Sequence, residues 1–284
     1  MCFELDSEPP IPVISGAAVS HEKLTLESSD GTRFAAFAGH PDEPSDAGVV
    51  LLPDVRGLYH FYEELALRFA ERGYEAVAID YFGRTAGTSK RTDDWEYMEH
   101  VAQTTPEGVQ ADVAAAVAYL RERGVRSVFT VGFCFGGRNS WLAAAGGHGL
   151  AGAVGFYGMP AARDGSPGPA DRAEEMEAPI LALQAGDDQN ITGADNAEWD
   201  EALTRAGVEH EVVTYEGAPH SFFDRKQDEF ADASEDAWRS TLEFIEAHRY
   251  AIHYFGPASR YFSYRVTTDG TQSSREISFS FLLW

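Results

Sequence analysis

The segment Gly132-Phe133-Cys134-Phe135-Gly136-Gly137 frames a thiol with glycines. Residues 127–131 before it read as a buried strand, and residues 136–145 after it read as a helix. Cys134 therefore falls on a tight strand-to-helix turn, with cysteine where serine is the commoner nucleophile. A side chain at Gly132 or Gly136 would crowd such a turn, and a helix N-terminus favours a thiolate over a thiol. A nucleophile so placed needs a base and a group to orient the base, in the chain order nucleophile, acid, histidine. His220 fits the base. It follows a strand over 211–215, in the Gly/Pro loop Glu216-Gly-Ala-Pro-His220-Ser-Phe, at the sheet edge where such a site forms. The acid comes from the loop after a strand over 179–183, which offers Asp187 and Asp188. The acid of such a site has an apolar residue three positions on to anchor its loop. Asp188 has Ile191 there and Asp187 has Asn190, so the spacing selects Asp188.

Positioning these residues takes strands alternating with helices. Short strands at 23–27 and 33–37 flank Asp30-Gly31, a hairpin signal. Continuous apolar runs at 48–52, 75–79, 127–131, 151–156 and 179–183 then alternate with amphipathic helices. Phe61, Leu65 and Phe69 mark one helix. Val109, Val113, Val117 and Leu120 mark another, and 196–205 and 235–248 supply two more. This pattern predicts an α/β fold with a mostly parallel central sheet, helices on both faces and an N-terminal antiparallel hairpin. Residues 1–20 are Pro-rich and irregular. The polar stretch 84–106 is too long for a plain connection and predicts a cover over something.

Residues 249–284 differ from the body, being aromatic-rich and locally basic. Alternation at 260–266 and 276–282 around Asp269-Gly270 predicts a β-hairpin there, with a disordered tail as the alternative. The division expected is a catalytic domain over 1–248 and an extension over 249–284, through which a homodimer could form.

The 284 residues carry 22 Lys and Arg against 46 Asp and Glu, a formal net charge of -24. A field of that sign repels nucleic-acid backbones and anionic membranes. Of the chain 44% is apolar and 12% aromatic, so a large core is available, and no apolar run is long enough to span a bilayer. The two cysteines, Cys2 and Cys134, do not make a disulfide framework, and the start lacks a secretory pattern. A cytoplasmic setting is expected. No His/Cys/Asp cluster has metal-ligand spacing, so no metal is expected.

Gly132-Phe-Cys-Phe-Gly-Gly137, Ala153-Val-Gly-Phe-Tyr-Gly158, Ala185-Gly-Asp-Asp188 and His220-Ser-Phe222 together resemble the dienelactone hydrolase family, over roughly 20–248. The resemblance implies an α/β-hydrolase fold and hydrolysis of a small lactone or ester, without a cofactor, by a Cys134–His220–Asp188 triad through an acyl-enzyme. It implies an oxyanion hole made by the backbone N–H groups of Phe135 and Val55, and substrate contacts from Arg84 and Ser221. Two positions depart from the family pattern. Asp54 stands where a glutamate usually holds and activates the thiol. Asp224, beside Arg225, stands where a second arginine would join Arg84 in clamping a substrate carboxylate. A salt bridge from Arg84 to one of the chain's many acids, such as Asp93 or Asp94, is the competing reading of that arginine. The competing functions are a carboxylesterase of broader range and, in another class, a catalytically silent protein that binds ligands on this fold.

Overall fold

A computed structural model describes residues 4, 6–17, 19–91, 95–163 and 165–249. The expected extension therefore falls outside the described residues, except for Arg249, and so do Asp93 and Asp94.

Two strands, β1 (Val19–Glu27) and β2 (Arg33–Pro41), pair antiparallel around the Asp30-Gly31 turn. Strand β3 (Ala47–Leu52) leads to helix α1 (His60–Ala70), and β4 (Glu75–Ile79) to the short α2 (Gly83–Ala86) and α3 (Tyr97–Val101). Then come α4 (Pro106–Glu122), β5 (Ser127–Phe133), α5 (Phe135–Ala144), β6 (Gly152–Phe156), β7 (Ile180–Asp187), α6 (Gly193–Ala206), β8 (His210–Pro219) and α7 (Ala231–His248). The eight strands form one sheet in the order β1-β2-β4-β3-β5-β6-β7-β8. Every pairing from β4 onward is parallel, and β2 joins β4 antiparallel.

The strand pleat sends alternate residues to two cores. Val49 and Leu51 pack with Phe61, Leu65 and Phe69 of α1 and Ile245 of α7. Val50 and Leu52 pack with Val113 and Leu120 of α4, Trp141 of α5 and Trp199 of α6. Because both faces are covered, these strands are continuous apolar runs, as the sequence pattern required. Helix starts follow local chemistry. The Thr105 hydroxyl accepts from the Gly108 N–H ahead of Pro106, and Thr192 and Asp195 cap α6 reciprocally.

The irregular N-terminal stretch is also held in place. Ser7 and Ile11 are fully buried, and the Ser7 hydroxyl donates to Asp224 at 2.7 Å. No helix among the described residues is long and apolar enough to cross a membrane, and no cluster of three metal-ligating side chains occurs among them.

Candidate active site

Parallel strands place the residues that follow them along one edge. Pro53 follows β3, Asp80 β4, Cys134 β5, Tyr157 β6, Asp188 β7 and His220 β8. All of the expected site residues except Arg84 thus lie at or just beyond the carboxyl end of a strand, where an open α/β sheet presents its ligand crevice.

The turn at Cys134 is held by close backbone contact. A Cβ on Gly132 would lie 2.0 Å from the Gly136 carbonyl oxygen, and one on Gly136 would lie 1.9 Å from that of Leu52. The half-buried Cys134 caps α5 with φ 55° and ψ -111°, a conformation costly for any residue with a side chain. Its N–H donates to Phe156 O at 3.0 Å.

His220 Nδ1 lies 2.5 Å from Asp188 Oδ2. Asp188, not Asp187, makes this contact, and the reason lies in its loop. The other oxygen of Asp188 accepts from the N–H groups of Asn190 and Ile191 at 2.8 and 3.2 Å, while the Ile191 side chain is buried. Burial alone would raise the Asp188 pKa. The His220 hydrogen bond and the two backbone donors outweigh it and hold the carboxyl below its ordinary value. An ionised Asp188 fixes the proton on Nδ1, leaving Nε2 as the basic nitrogen.

Two further strained residues border His220. Among described non-glycine residues, positive φ occurs at Cys134, at Tyr157 (37°) and at Ser221 (64°). The Tyr157 ring is fully buried and lies 4.9 Å from the His220 ring, centroid to centroid. Sequence reasoning gave Tyr157 no role. Its place between Phe156 and Gly158, one step past an apolar run, was the available signal. Ser221 is buried, and its hydroxyl has no hydrogen-bond partner among the described residues.

The loop after β3 carries Val55. Within residues 54–57, the Asp54 N–H goes to the Tyr62 hydroxyl, Arg56 N–H to Asp54 Oδ1, and Gly57 N–H to Asp54 O. The Val55 N–H is the one in this run with no acceptor in the described protein. Gly136 packs against the start of this loop, and Tyr81, whose hydroxyl donates to Pro53 O, meets the Phe135 ring at 5.2 Å.

Asp54 is held within its own loop. Its fully buried carboxylate is taken by Arg56 through Nη2 at 2.9 Å and Nε at 3.3 Å, with the Tyr59 hydroxyl at 3.4 Å. It caps its own loop and neutralises Arg56. Burial would lower the Arg56 pKa, but Asp54 raises it, so the guanidinium stays charged.

Arg84, the expected substrate contact, is held by two acids, as its competing reading as a salt bridge has it. Its guanidinium forks onto Asp112 at 2.7 and 2.9 Å and reaches Asp30 at 2.9 Å. Asp112 points inward from α4, and its desolvated carboxylate requires a cation, which Arg84 supplies. Asp224, the other position of the clamp, is buried and bound to Ser7.

A cavity of about 750 Å³ is lined in part by the loop after β3, and no elbow residue is among its lining. Arg56, Leu58 and Tyr59 line it, but Cys134 and His220 do not. Residues 88–91, Trp95 and Tyr97 also line it, so the stretch 84–106 does cover a space.

The dienelactone hydrolase family model matches residues 34–249, all but the hairpin's first strand and the ends of the chain. The chain belongs to the dienelactone hydrolase family. A carboxymethylenebutenolidase of Rhodococcus opacus is 28% identical over 271 residues, covering 87% of this chain and 97% of that protein. A solved structure, titled "Putative Dienelactone Hydrolase" and from Klebsiella pneumoniae, superposes with TM-score 0.71 at 25% identity. It covers 81% of this chain and 99% of that one. A dienelactone hydrolase-like promiscuous phosphotriesterase from metagenomic libraries shares the fold with TM-score 0.68 at 21% identity, covering 82% of this chain and 99% of that one. As a dienelactone hydrolase family member, the protein is an ester or lactone hydrolase on an α/β-hydrolase fold.

Proposed function

We propose that this protein hydrolyses a small carboxylic ester or lactone through a covalent intermediate on Cys134. His220 Nε2 takes the thiol proton, and the thiolate attacks the acyl carbon. The carbonyl oxygen becomes an oxyanion that accepts from the Phe135 and Val55 N–H groups. Collapse breaks the acyl–oxygen bond, and the imidazolium returns its proton to the leaving alkoxide. His220 then deprotonates a water, which attacks the thioester and releases the acid and the thiol. Asp188 orients the imidazole and stabilises its charged form. The buried Ser221 hydroxyl, next to the base, is left as a polar contact for substrate.

The observation that carries this reading is the His220–Asp188 hydrogen bond of 2.5 Å, on the same sheet edge as a strained, glycine-framed cysteine at a helix N-terminus. A protein that only binds ligands has no use for that set of features. Rapid mixing with p-nitrophenyl acetate tests it. The expected result is a burst of p-nitrophenol stoichiometric with protein, absent in Cys134→Ala. Steady turnover that survives in Cys134→Ala would reject the assignment.

A further inference from the structure

The His220 ring is held by Asp188 and Tyr157. Its backbone depends on the loop that follows. Ser221 has φ 64°, a conformation that persists only where the surroundings over-determine it. Residues 221–227 supply part of that constraint themselves. Asp224 N–H donates to Phe222 O at 2.8 Å, Gln227 N–H to Asp224 O at 3.0 Å, and Gln227 Nε2 to Ser221 O at 2.8 Å.

The rest of the constraint comes from the amino-terminal stretch. Ser7 is fully buried, and its hydroxyl donates to Asp224 Oδ2 at 2.7 Å across 217 positions. The other oxygen of Asp224 accepts from the Lys226 N–H at 3.1 Å. One carboxylate thus joins the amino-terminal stretch to the loop's own backbone. Further contacts follow in order along the stretch. Arg225 N–H donates to Glu8 O at 3.0 Å, Arg225 Nη2 to Pro9 O at 3.1 Å, and Arg225 Nη1 pairs with the Glu8 carboxylate. Ile11, 1% exposed, anchors the stretch in the same core as Phe222 and Phe223. Lys226 also pairs with Glu4 and Asp6, but both acids are exposed, and pairs of that kind hold little.

Burial decides which contact matters most. Asp224 is 6% exposed, so without the Ser7 hydroxyl a desolvated carboxylate oxygen loses its donor. The loop then has to open to water to satisfy it. Opening relaxes the constraint on Ser221 and, with it, the backbone of His220.

We propose that residues 7–11 are a positioning element of the active site: through the Ser7–Asp224 hydrogen bond they fix the loop after His220 and so hold the imidazole in place. This rests on the hydrolase reading above and adds the part of the chain that steadies its base.

The test is Ser7→Ala, assayed with p-nitrophenyl acetate well below its unfolding transition. Its kcat should fall roughly ten- to a hundredfold, as small displacements of a catalytic group do, while KM stays within about twofold. Ser7→Thr, which keeps the hydroxyl, should recover most of the loss. Hydrogen exchange of the amides over 224–227 should quicken about tenfold in Ser7→Ala, while β5 and β6 change less. A purely structural Ser7 would lower the unfolding temperature and leave kcat alone. A folded Ser7→Ala with wild-type kcat, or with wild-type exchange over 224–227, therefore overturns the proposal. If Ser7→Ala does not fold, Arg225→Ala takes its place, because that side chain is half exposed and ties the loop to Glu8 and Pro9. Its kcat should fall about threefold, and an unchanged kcat overturns the proposal. If wild type turns over no ester, the hydrolase reading fails separately, and exchange decides. A rise over 224–227 in Ser7→Ala then supports the positioning tie, and no rise overturns it.

Discussion

The two ends of the sheet edge are built on different principles. From β5 to β8 three residues past the strand ends are held in costly backbone conformations: Cys134, Tyr157 and Ser221 all have positive φ. Past β3 and β4, strain gives way to ion pairs: Asp54–Arg56, Asp80–Arg91 and Arg84–Asp112. The first region fixes its backbone by close packing, the kind of pre-organisation that bond-making requires. The second disposes of charge, leaving a roomy cavity of aromatic and apolar character. On the reading proposed above, reactivity and selectivity should be separable, and variants should fall into two classes.

The largest effect belongs to the strained end. Asp188→Asn should lower kcat by roughly 10³–10⁴-fold, because the amide stabilises the wrong tautomer of His220. Its thermal unfolding should stay close to wild type. A loss below about tenfold would mean that Asp188 does not orient the base. Gly136→Ala should be next, costing on the order of 4 kcal/mol or more, because its Cβ would meet the Leu52 carbonyl at 1.9 Å. Urea unfolding at wild-type stability would show that the turn is looser than described.

At the ion-paired end the signature reverses. Arg84→Ala should cost about 2–4 kcal/mol of stability by leaving buried Asp112 without its cation. The kcat/KM on neutral esters should hold within about twofold. A selective loss on carboxylate-bearing esters would restore Arg84 as a substrate contact and erase the distinction between the regions. The smallest effect is pH-linked. The folded-state pKa of Asp188 is lowered, so its ionised form stabilises the fold at neutral pH, and that contribution is lost as pH falls through the depressed value. Chemical unfolding of wild type and Asp188→Asn should therefore converge below about pH 4. A gap that stays constant into that range would contradict the assigned direction.

The same contrast explains what could be read from the sequence. Periodicity located the elements because both faces of the sheet are buried, and it missed mainly their ends. β8, for instance, extends over His210–Pro219 rather than 211–215. Asp188 was legible because its anchor, Ile191, lies three residues away. Partners set by the tertiary fold were not. Arg84 finds Asp112 on a separate helix, and Ser7 finds Asp224 across 217 positions. Asp54 could be placed beside the elbow from the motif order, but its capture by Arg56 depends on a loop conformation that spacing does not specify. Tyr157 was hidden because nothing in residue type announces a positive φ at tyrosine.

The central claim is that Cys134 carries the acyl group. Intact-mass and peptide mass spectrometry on protein quenched during turnover of a p-nitrophenyl ester tests it most directly. The account predicts one acyl group per chain, mapped to Cys134, accumulating further in Asp188→Asn if deacylation becomes the slower step. An acyl group on another residue, or a burst that persists in Cys134→Ala, would contradict it.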